Sequence, residues 1–370
     1  MSAQPPGQLL LVGVPGPQLD SATAAILRRV QPGGFILFTR NITGPVQLRK
    51  LVDDLRGLSV VEPIITIDQE GGRVSRLKVI GHEPPSASQL RARNDVRLVQ
   101  RHGDITGRLL RLFGFNLDLC PVLDFCLSDD ETVDNSLRGR CYGVDLDQVL
   151  RLAGAFNGAL RAAGIASCGK HFPGYTRARA DAHHELPTIG ATRPELDALE
   201  LAPYRALGPE LDSVMVCHAY YAALDSGSGL PASLSPEIIT DLLRGEMGYR
   251  GLVMTDDLDM GAIVKGFGFE EAIRLSIEAG NDLAMICHRV QMLDDARRAI
   301  DLVSAVARDR ALESVADFKA RLAPPVPEFS EETFRLIDAE IWNLRVDTLG
   351  EHGALARSSD DGKRSPVEAY

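Results

Sequence analysis

The chain has 370 residues and a formal net charge of −11, with 45% hydrophobic and 25% charged residues. This acidic balance, without a basic block, argues against nucleic acid as a partner, and no apolar stretch reaches the roughly 18 residues of a membrane span. The first residues lack the basic n-region of a secretory signal, and the six cysteines have no C-x-x-C spacing. We therefore expect a cytoplasmic protein with reduced thiols.

Eight short apolar runs rich in β-branched residues recur along the chain and are predicted to be strands. In chain order they are residues 9–14, 34–38, 63–68, 115–125, 164–172, 211–219, 251–257 and 282–287. Amphipathic segments of helical period lie between most of them, and a serine is predicted to cap both SATAAILRRV and SPEIITDLLRGEMG. Eight strand–helix units predict a (β/α)8 barrel of the TIM type, with a doubly wound parallel sheet as the rival.

Polar residues at the ends of five predicted strands favour the barrel. They are Asp68, Asp124, Lys170, His171, His218 and Asp256. A barrel gathers strand ends onto one face, whereas a doubly wound sheet spreads them along an edge. No G-x-G-x-x-G follows the first strand to suggest a dinucleotide. We predict a single catalytic barrel domain over residues 1–349 and a polar, disordered tail over residues 350–370.

Two acids at strand ends are candidates for sugar chemistry. Asp68 could accept hydrogen bonds from two neighbouring hydroxyls of a sugar, although the Gly-Gly pair behind it also fits a tight turn with a surface ion pair. Asp256 ends the seventh strand in GLVMTDDLDM. A carboxylate there could attack an anomeric carbon, as in retaining glycosidases, while Asp257 and Asp259 alternatively cap the next helix.

The stretch GKHFPGYTRARADAHHELP contains the candidate proton donor. Lys170 at the end of a buried strand requires a charged partner or a polar cleft. Asp181 and His183 are two residues apart, so a local turn can place the carboxylate on the imidazole and raise the pKa of His183. A solvated surface histidine is the alternative, and it is the preferred interpretation for His184. Arg177 is expected to be a solvated loop arginine rather than a contact to an acidic leaving group.

Two further residues have open interpretations. His218 follows the sixth strand and is equally well a ligand or a buried, hydrogen-bonded histidine. Arg140, in NSLRGRCYG, is either an exposed loop arginine or a clamp on a substrate oxygen.

Seven motifs, in order over residues 67–260, together resemble glycoside hydrolase family 3 in its β-N-acetylhexosaminidase branch. They are IDQEGGRVSRL, PVLDF, GRCYG, GKHFPG, ADAHHELP, VMVCHAYY and LLRGEMGYRGLVMTDDLDM. The resemblance implies a retaining hydrolase of terminal β-linked N-acetylglucosamine, with Asp256 as nucleophile and His183, oriented by Asp181, as acid/base. It also implies that the sugar is held by Asp68, Arg140, Lys170, His171 and His218. The branch commonly reads K-H-F-P-G-H-G, whereas this chain has Tyr175 and Thr176 in place of the second histidine and its glycine.

Other functions remain open at this point. A metal-dependent amidohydrolase-type barrel requires a histidine pair on the first strand, and LLLVGV has none. A catalytically silent sugar-binding barrel would be expected to lose Asp256 or His183. Within the family, a β-glucosidase or a phosphorylase is an alternative. We expect a monomer that acts on a small carbohydrate, such as a muropeptide fragment of the cell wall, without cofactor, metal, nucleic acid or membrane.

Overall fold

All eight predicted strands form a closed parallel barrel. The computed structural model describes residues 5–127, 136–178, 186–324 and 328–358. The barrel strands are β1 Leu10–Gly13, β2 Gly34–Leu37, β3 Ile64–Ile67, β4 Leu117–Asp118, β5 Ala166–Phe172, β6 Ser213–Val216, β7 Leu252–Asp257 and β8 Leu283–Ile286. Each strand pairs with its neighbours in sequence, and β1 pairs with β8. The (β/α)8 prediction is confirmed, and the doubly wound alternative is wrong.

Helices surround the barrel. They are α1 Ser21–Val30, α2 Pro45–Leu58, α3 Ala87–Arg93, α4 Val96–Phe113, α5 Leu146–Ala162, α6 Arg193–Ala198, α7 Ala202–Leu207, α8 Gly261–Phe267, α9 Phe269–Ala279, α10 Leu293–Asp301, α11 Ala305–Arg321 and α12 Glu331–Leu355, with a π-helix at Glu237–Glu246. Short 3-10 turns lie at Pro6–Leu9, Thr39–Asn41, Arg76–Val79, Gly208–Glu210, Ala232–Leu234 and Val290–Met292.

The apolar runs are continuous rather than alternating because both faces of each strand are covered. Every residue of β3 and of β8 is buried, between the barrel interior on one side and the helices on the other. Parallel strands in a closed barrel leave their carboxyl ends on one face. That face is where the polar residues singled out in the sequence are placed.

One of the two predicted serine caps is confirmed and the other is wrong. The cap of α1 is Asp20, one residue before the predicted Ser21, because its carboxylate accepts the N–H of Thr23 at 2.8 Å. Ser235 acts as predicted, since its hydroxyl accepts the N–H of Ile238 at 3.4 Å at the start of the π-helix.

The end of the described chain folds back on the barrel. Helix α12 continues past a kink at Gly350 to Leu355, and the buried Arg345 donates to the carbonyl of Ala354 at 2.7 Å. The hydroxyl of Ser358 donates to Glu83 at 2.7 Å. Residues 359–370 lie outside the described residues, and disorder stays a prediction for them.

Among the described residues, no helix is both long and apolar enough to cross a membrane.

Candidate active site

A short hairpin brings two carboxylates to the carboxyl end of β3. Strands Gln69–Gly71 and Val74–Ser75 pair directly after Asp68. The turn requires Gly71 and Gly72, whose φ angles are +100° and +57°; a Cβ on Gly71 would lie 2.3 Å from the carbonyl of Pro85. The predicted tight turn is confirmed, but the ion pair of Asp68 with Arg76 is buried rather than on the surface, and sugar binding by Asp68 stays a prediction.

Lys170, in β5, is the centre of a buried ion-pair network. Its Nζ lies 2.7 Å from Asp68 Oδ1 and 2.7 Å from Glu70 Oε1. Glu70 in turn receives two hydrogen bonds of 2.8 Å from the guanidinium of Arg140, and Asp68 receives one of 3.2 Å from Arg76. The ammonium has three N–H donors, and these two carboxylates take two of them. With respect to the described residues, one donor of Lys170 is left for a further acceptor.

The network keeps its members charged despite their burial. Burial alone would raise the pKa of Asp68 and Glu70, but the charges of the neighbouring lysine and arginines outweigh it and lower both. For Lys170, burial would lower the pKa, and the two carboxylates reverse this so that its pKa is raised. A pair of opposite charges in one cleft thus stabilises ionised forms that burial disfavours.

His171 is oriented by the carboxylate of Asp124, which lies in the loop after β4. Its Nδ1 lies 2.7 Å from Asp124 Oδ2, and its backbone N–H donates to the same oxygen at 3.1 Å. Its Nε2 lies 3.3 Å from the guanidinium of Arg140. Because arginine can only donate, this contact assigns the proton of the neutral ring to Nδ1. His171 is therefore fixed in one tautomer beside Lys170.

Asp118 ends β4 close to the network but has no cation bound to it in the described structure. Its Oδ1 accepts the N–H of Gln69 at 3.0 Å, and its buried Oδ2 has no hydrogen-bond partner among the described residues. Burial raises its pKa to about 8. Asp118 is therefore a neutral carboxylic acid beside the charged network of Lys170, Asp68 and Glu70.

Asp256 is at the carboxyl end of β7, two strands from Lys170. Its carboxylate is half-buried and accepts the N–H of Asp257 at 2.8 Å. Burial raises the pKa of the Cys217 thiol, and the charges of both Asp124 and Asp256 raise it further. The two carboxylates therefore lie within electrostatic range of one thiol on the same face of the barrel.

His218 has protein partners on both ring nitrogens. Nδ1 lies 2.7 Å from the hydroxyl of Ser233, and Nε2 lies 2.9 Å from the carbonyl oxygen of Asp257. This favours the buried, hydrogen-bonded alternative over direct sugar contact. The helix-capping interpretation of Asp257 and Asp259 is wrong, because their carboxylates instead accept backbone N–H groups at the end of β8.

Asp181, His183 and His184 lie outside the described residues, in segment 179–185. Described residues on either side of that segment are bound to the carboxyl face. Before it, the N–H of Tyr175 donates to Asp124 at 2.5 Å and the hydroxyl of Thr176 accepts the N–H of Phe125 at 2.9 Å. After it, strand Thr188–Ile189 pairs with Tyr220–Tyr221, just beyond His218.

The predicted site residues thus fall into three groups. Asp68, Arg140, Lys170 and His171 form one connected network, Asp256 lies at the end of β7 with His218 just after β6, and Asp181 and His183 lie outside the described residues. Glu70, Asp118 and Asp124 were not predicted as site residues, although Glu70 lies just after β3, Asp118 ends β4 and Asp124 lies near the end of the predicted run 115–125. Glu70 had a usable signal, since it is two residues after Asp68 and period-two spacing in extended chain puts both on one side.

Comparison with known proteins agrees with this arrangement. Residues 4–317 match the family model described as the N-terminal domain of glycosyl hydrolase family 3. A β-hexosaminidase of Tolumonas auensis is 36% identical over 284 residues, covering 75% of this chain and 82% of that protein. One of Bordetella avium is 35% identical over 305 residues, covering 80% and 84%.

Solved structures of the same family are also similar. A glycoside hydrolase family 3 β-N-acetylglucosaminidase from Paenibacillus sp. str. FPU-7 has a TM-score of 0.83 and 32% identity, covering 94% of this chain and 69% of that chain. NagZ from Neisseria gonorrhoeae, solved with N-trifluoroacetyl-D-glucosamine, has a TM-score of 0.79 and 27% identity, covering 91% and 97%.

Proposed function

The chain belongs to glycosyl hydrolase family 3, a family of glycoside hydrolases, and from that membership we propose that it is a retaining β-N-acetylhexosaminidase. The proposed substrate is a terminal β-linked N-acetylglucosamine, and fragments of the bacterial cell wall are its natural source. The names of the relatives support the sugar. The observation that carries the mechanism is the half-buried carboxylate of Asp256 at the end of β7, without a cation bound to it in the described structure.

In the first step, the carboxylate of Asp256 attacks the anomeric carbon and forms a covalent glycosyl-enzyme. The sugar is held by the free donor of Lys170, the carboxylate oxygens of Asp68 and the ordered imidazole of His171. Arg140 acts mainly by holding Glu70 and His171, to which it is already bound.

The leaving group receives its proton from His183, which Asp181 orients. Described residues shortly before and after segment 179–185 are bound to the face that carries Asp256, and this supports the role. In the second step the same imidazole activates the attacking water.

A panel of aryl β-glycosides tests the substrate. We expect the N-acetylglucosaminide to be cleaved faster than the glucoside or xyloside, with no acceleration by phosphate and with a β product by NMR. Preference for the glucoside would make the protein a β-glucosidase, and a glycosyl phosphate product would make it a phosphorylase. A mechanism-based fluorosugar should label Asp256, and an α product would exclude the two-step mechanism.

Leaving-group dependence tests His183. His183→Ala should slow poor leaving groups by roughly 100-fold to 10,000-fold, because an alkoxide must be protonated as it departs, and nitrophenyl glycosides much less. The variant should accumulate glycosyl-enzyme and be rescued by azide, and Asp181→Asn should act in the same direction more mildly. Equal losses on good and poor leaving groups, without rescue, would show that the proton comes from another residue.

A further inference from the structure

We infer that Asp257 is a positioning residue, which fixes the peptide whose N–H orients the carboxylate of Asp256. The inference rests on the proposed function, because it takes Asp256 as the nucleophile. The N–H, the carbonyl and the side chain of Asp257 are all hydrogen-bonded, and these bonds hold the backbone on both sides of its Cα.

The amide of Asp257 holds the nucleophile directly. Its N–H donates to Asp256 Oδ1 at 2.8 Å. Within the part of the chain that the structure describes, this is the one hydrogen bond that the carboxylate of Asp256 accepts. The direction of that N–H therefore decides how the carboxylate faces the sugar, and an error of about 1 Å in such a geometry can cost 100-fold in rate.

The carbonyl of Asp257 is fixed from β6. It accepts hydrogen bonds from His218 Nε2 at 2.9 Å and from the N–H of Met260 at 3.1 Å. Because a carbonyl can only accept, the ring carries its proton on Nε2, and Nδ1 accepts from the hydroxyl of Ser233 at 2.7 Å. Ser233 and His218 are both fully buried, so a rigid pair holds the peptide that follows Asp257 and with it the backbone at Asp257.

The side chain of Asp257 is fixed from β8. Oδ1 accepts the N–H of Asp259 at 3.0 Å and the N–H of Cys287 at 3.1 Å, and Oδ2 lies 3.6 Å from His288 Nε2. This carboxyl ties the end of β7 to the end of β8. Asparagine can keep both bonds to its carbonyl oxygen, whereas alanine removes them.

The test compares Asp257→Ala with Asp257→Asn, using an aryl N-acetylglucosaminide of poor leaving group under single-turnover conditions. We expect Asp257→Ala to lower the rate of glycosyl-enzyme formation by about 10-fold to 100-fold with KM changed less than about threefold. Asp257→Asn should stay within about threefold of the wild type. The matched control is Asp259→Ala, which deletes a neighbouring buried carboxyl but keeps every hydrogen bond of Asp257; its rate should equal that of the wild type.

His218→Leu keeps the inference testable if Asp257→Ala does not fold, because it removes the donor to the carbonyl of Asp257. It should lower the same rate at least tenfold without raising KM. Unchanged rates in the folded variants, or an equal loss in Asp259→Ala, would overturn the inference. Its failure is distinct from failure of the proposed function: a fluorosugar that labels Asp256 equally fast in the wild type and in Asp257→Ala refutes only the positioning role, whereas labelling of another acid in the wild type refutes the nucleophile.

Discussion

The carboxyl face of the barrel has two halves that handle charge in opposite ways. In the ion-paired half, at β3 to β5, the carboxylates of Asp68 and Glu70 lie against the cations of Lys170, Arg140 and Arg76. In the nucleophile half, at β6 to β8, Asp256 is bound by a backbone N–H. An ion-paired carboxylate is a poor nucleophile but a stable hydrogen-bonding group, so the two halves suit the roles proposed for them, holding the sugar and attacking it.

Removal of Glu70, the acid shared by two cations of the ion-paired half, should lower the free energy of unfolding more than the other changes considered below. Glu70 serves both Lys170 and Arg140, so Glu70→Ala leaves two buried cations without that partner, a change that typically costs about 3–5 kcal/mol of unfolding free energy. The measurement is urea unfolding. Glu62→Ala is the matched control, because Glu62 pairs with Arg56 with 48% of its side chain exposed and should cost less than about 1 kcal/mol. Equal costs for both variants would mean that the buried network does not support the fold.

Asp118, in the ion-paired half, should make the free energy of unfolding decrease as pH rises. Its pKa is raised from 3.8 to about 8 by burial, so the folded protein binds a proton that the unfolded chain has released. Its contribution is fully present below pH 3.8 and is lost as pH rises to about 8, by up to about 1.4 kcal/mol per unit.

Asp118→Asn tests this sign. The amide can keep the bond from the N–H of Gln69 and does not titrate, so the variant should gain stability relative to the wild type as pH rises from about 5 to about 8, by up to about 4 kcal/mol. Urea unfolding at a series of pH values measures it. A constant difference between the two proteins across this range would show that Asp118 is ionised in the folded state.

Removing Lys170 should affect the sugar more than the fold. Asp68 and Glu70 each keep an arginine after the change, so Lys170→Met leaves their charges compensated. Loss of a charged hydrogen bond to a sugar hydroxyl costs about 1.5–3 kcal/mol, or roughly tenfold to a few hundredfold in kcat/KM. Kinetics on the aryl N-acetylglucosaminide and a melting curve together measure it. An unfolded variant whose residual native fraction binds sugar normally would assign Lys170 a structural role.

The sequence predicted the barrel well because its signals are local. Eight apolar runs and their spacing are enough to count the strands, and the carboxyl ends of parallel strands must meet, which brought Asp68, Lys170 and Asp256 to one face. Partners across strands were harder. Nothing in the sequence around His218 reveals that Ser233 and the carbonyl of Asp257 take both ring nitrogens, because these contacts depend on how β6 and β7 pack.

The capping interpretation of Asp257 and Asp259 and the solvated interpretation of Arg177 were wrong for the same reason, since their partners lie far away in the sequence. Asp257 and Asp259 resemble a capping cluster in sequence, but helix α8 begins only at Gly261 and the two carboxylates bind the end of β8 instead. Arg177 was expected to be solvated, yet its Nε donates to Glu200 at 2.8 Å, and Glu200 is 23 residues away in the chain.

That last pair gives the smallest predicted effect, and its Arg177 lies two residues before segment 179–185, which carries His183. Arg177 is 33% exposed, so its pairing with the buried Glu200 should be worth only about 0.2–1 kcal/mol. Burial raises the pKa of Glu200 and the charge of Arg177 lowers it, so loss of the arginine removes an interaction that favours the ionised form of this acid. Arg177→Gln should therefore barely change the melting temperature but lower kcat/KM two- to threefold for poor leaving groups, because the pair with Glu200 holds the chain two residues before segment 179–185, which carries the proposed acid/base His183. Arg193→Gln is the matched control, with 38% of its side chain exposed and its partners on Asp197 and Glu246. If Arg193→Gln slows turnover as much as Arg177→Gln does, the effect is a general loss of surface charge, and Arg177 has no part in holding the acid/base segment.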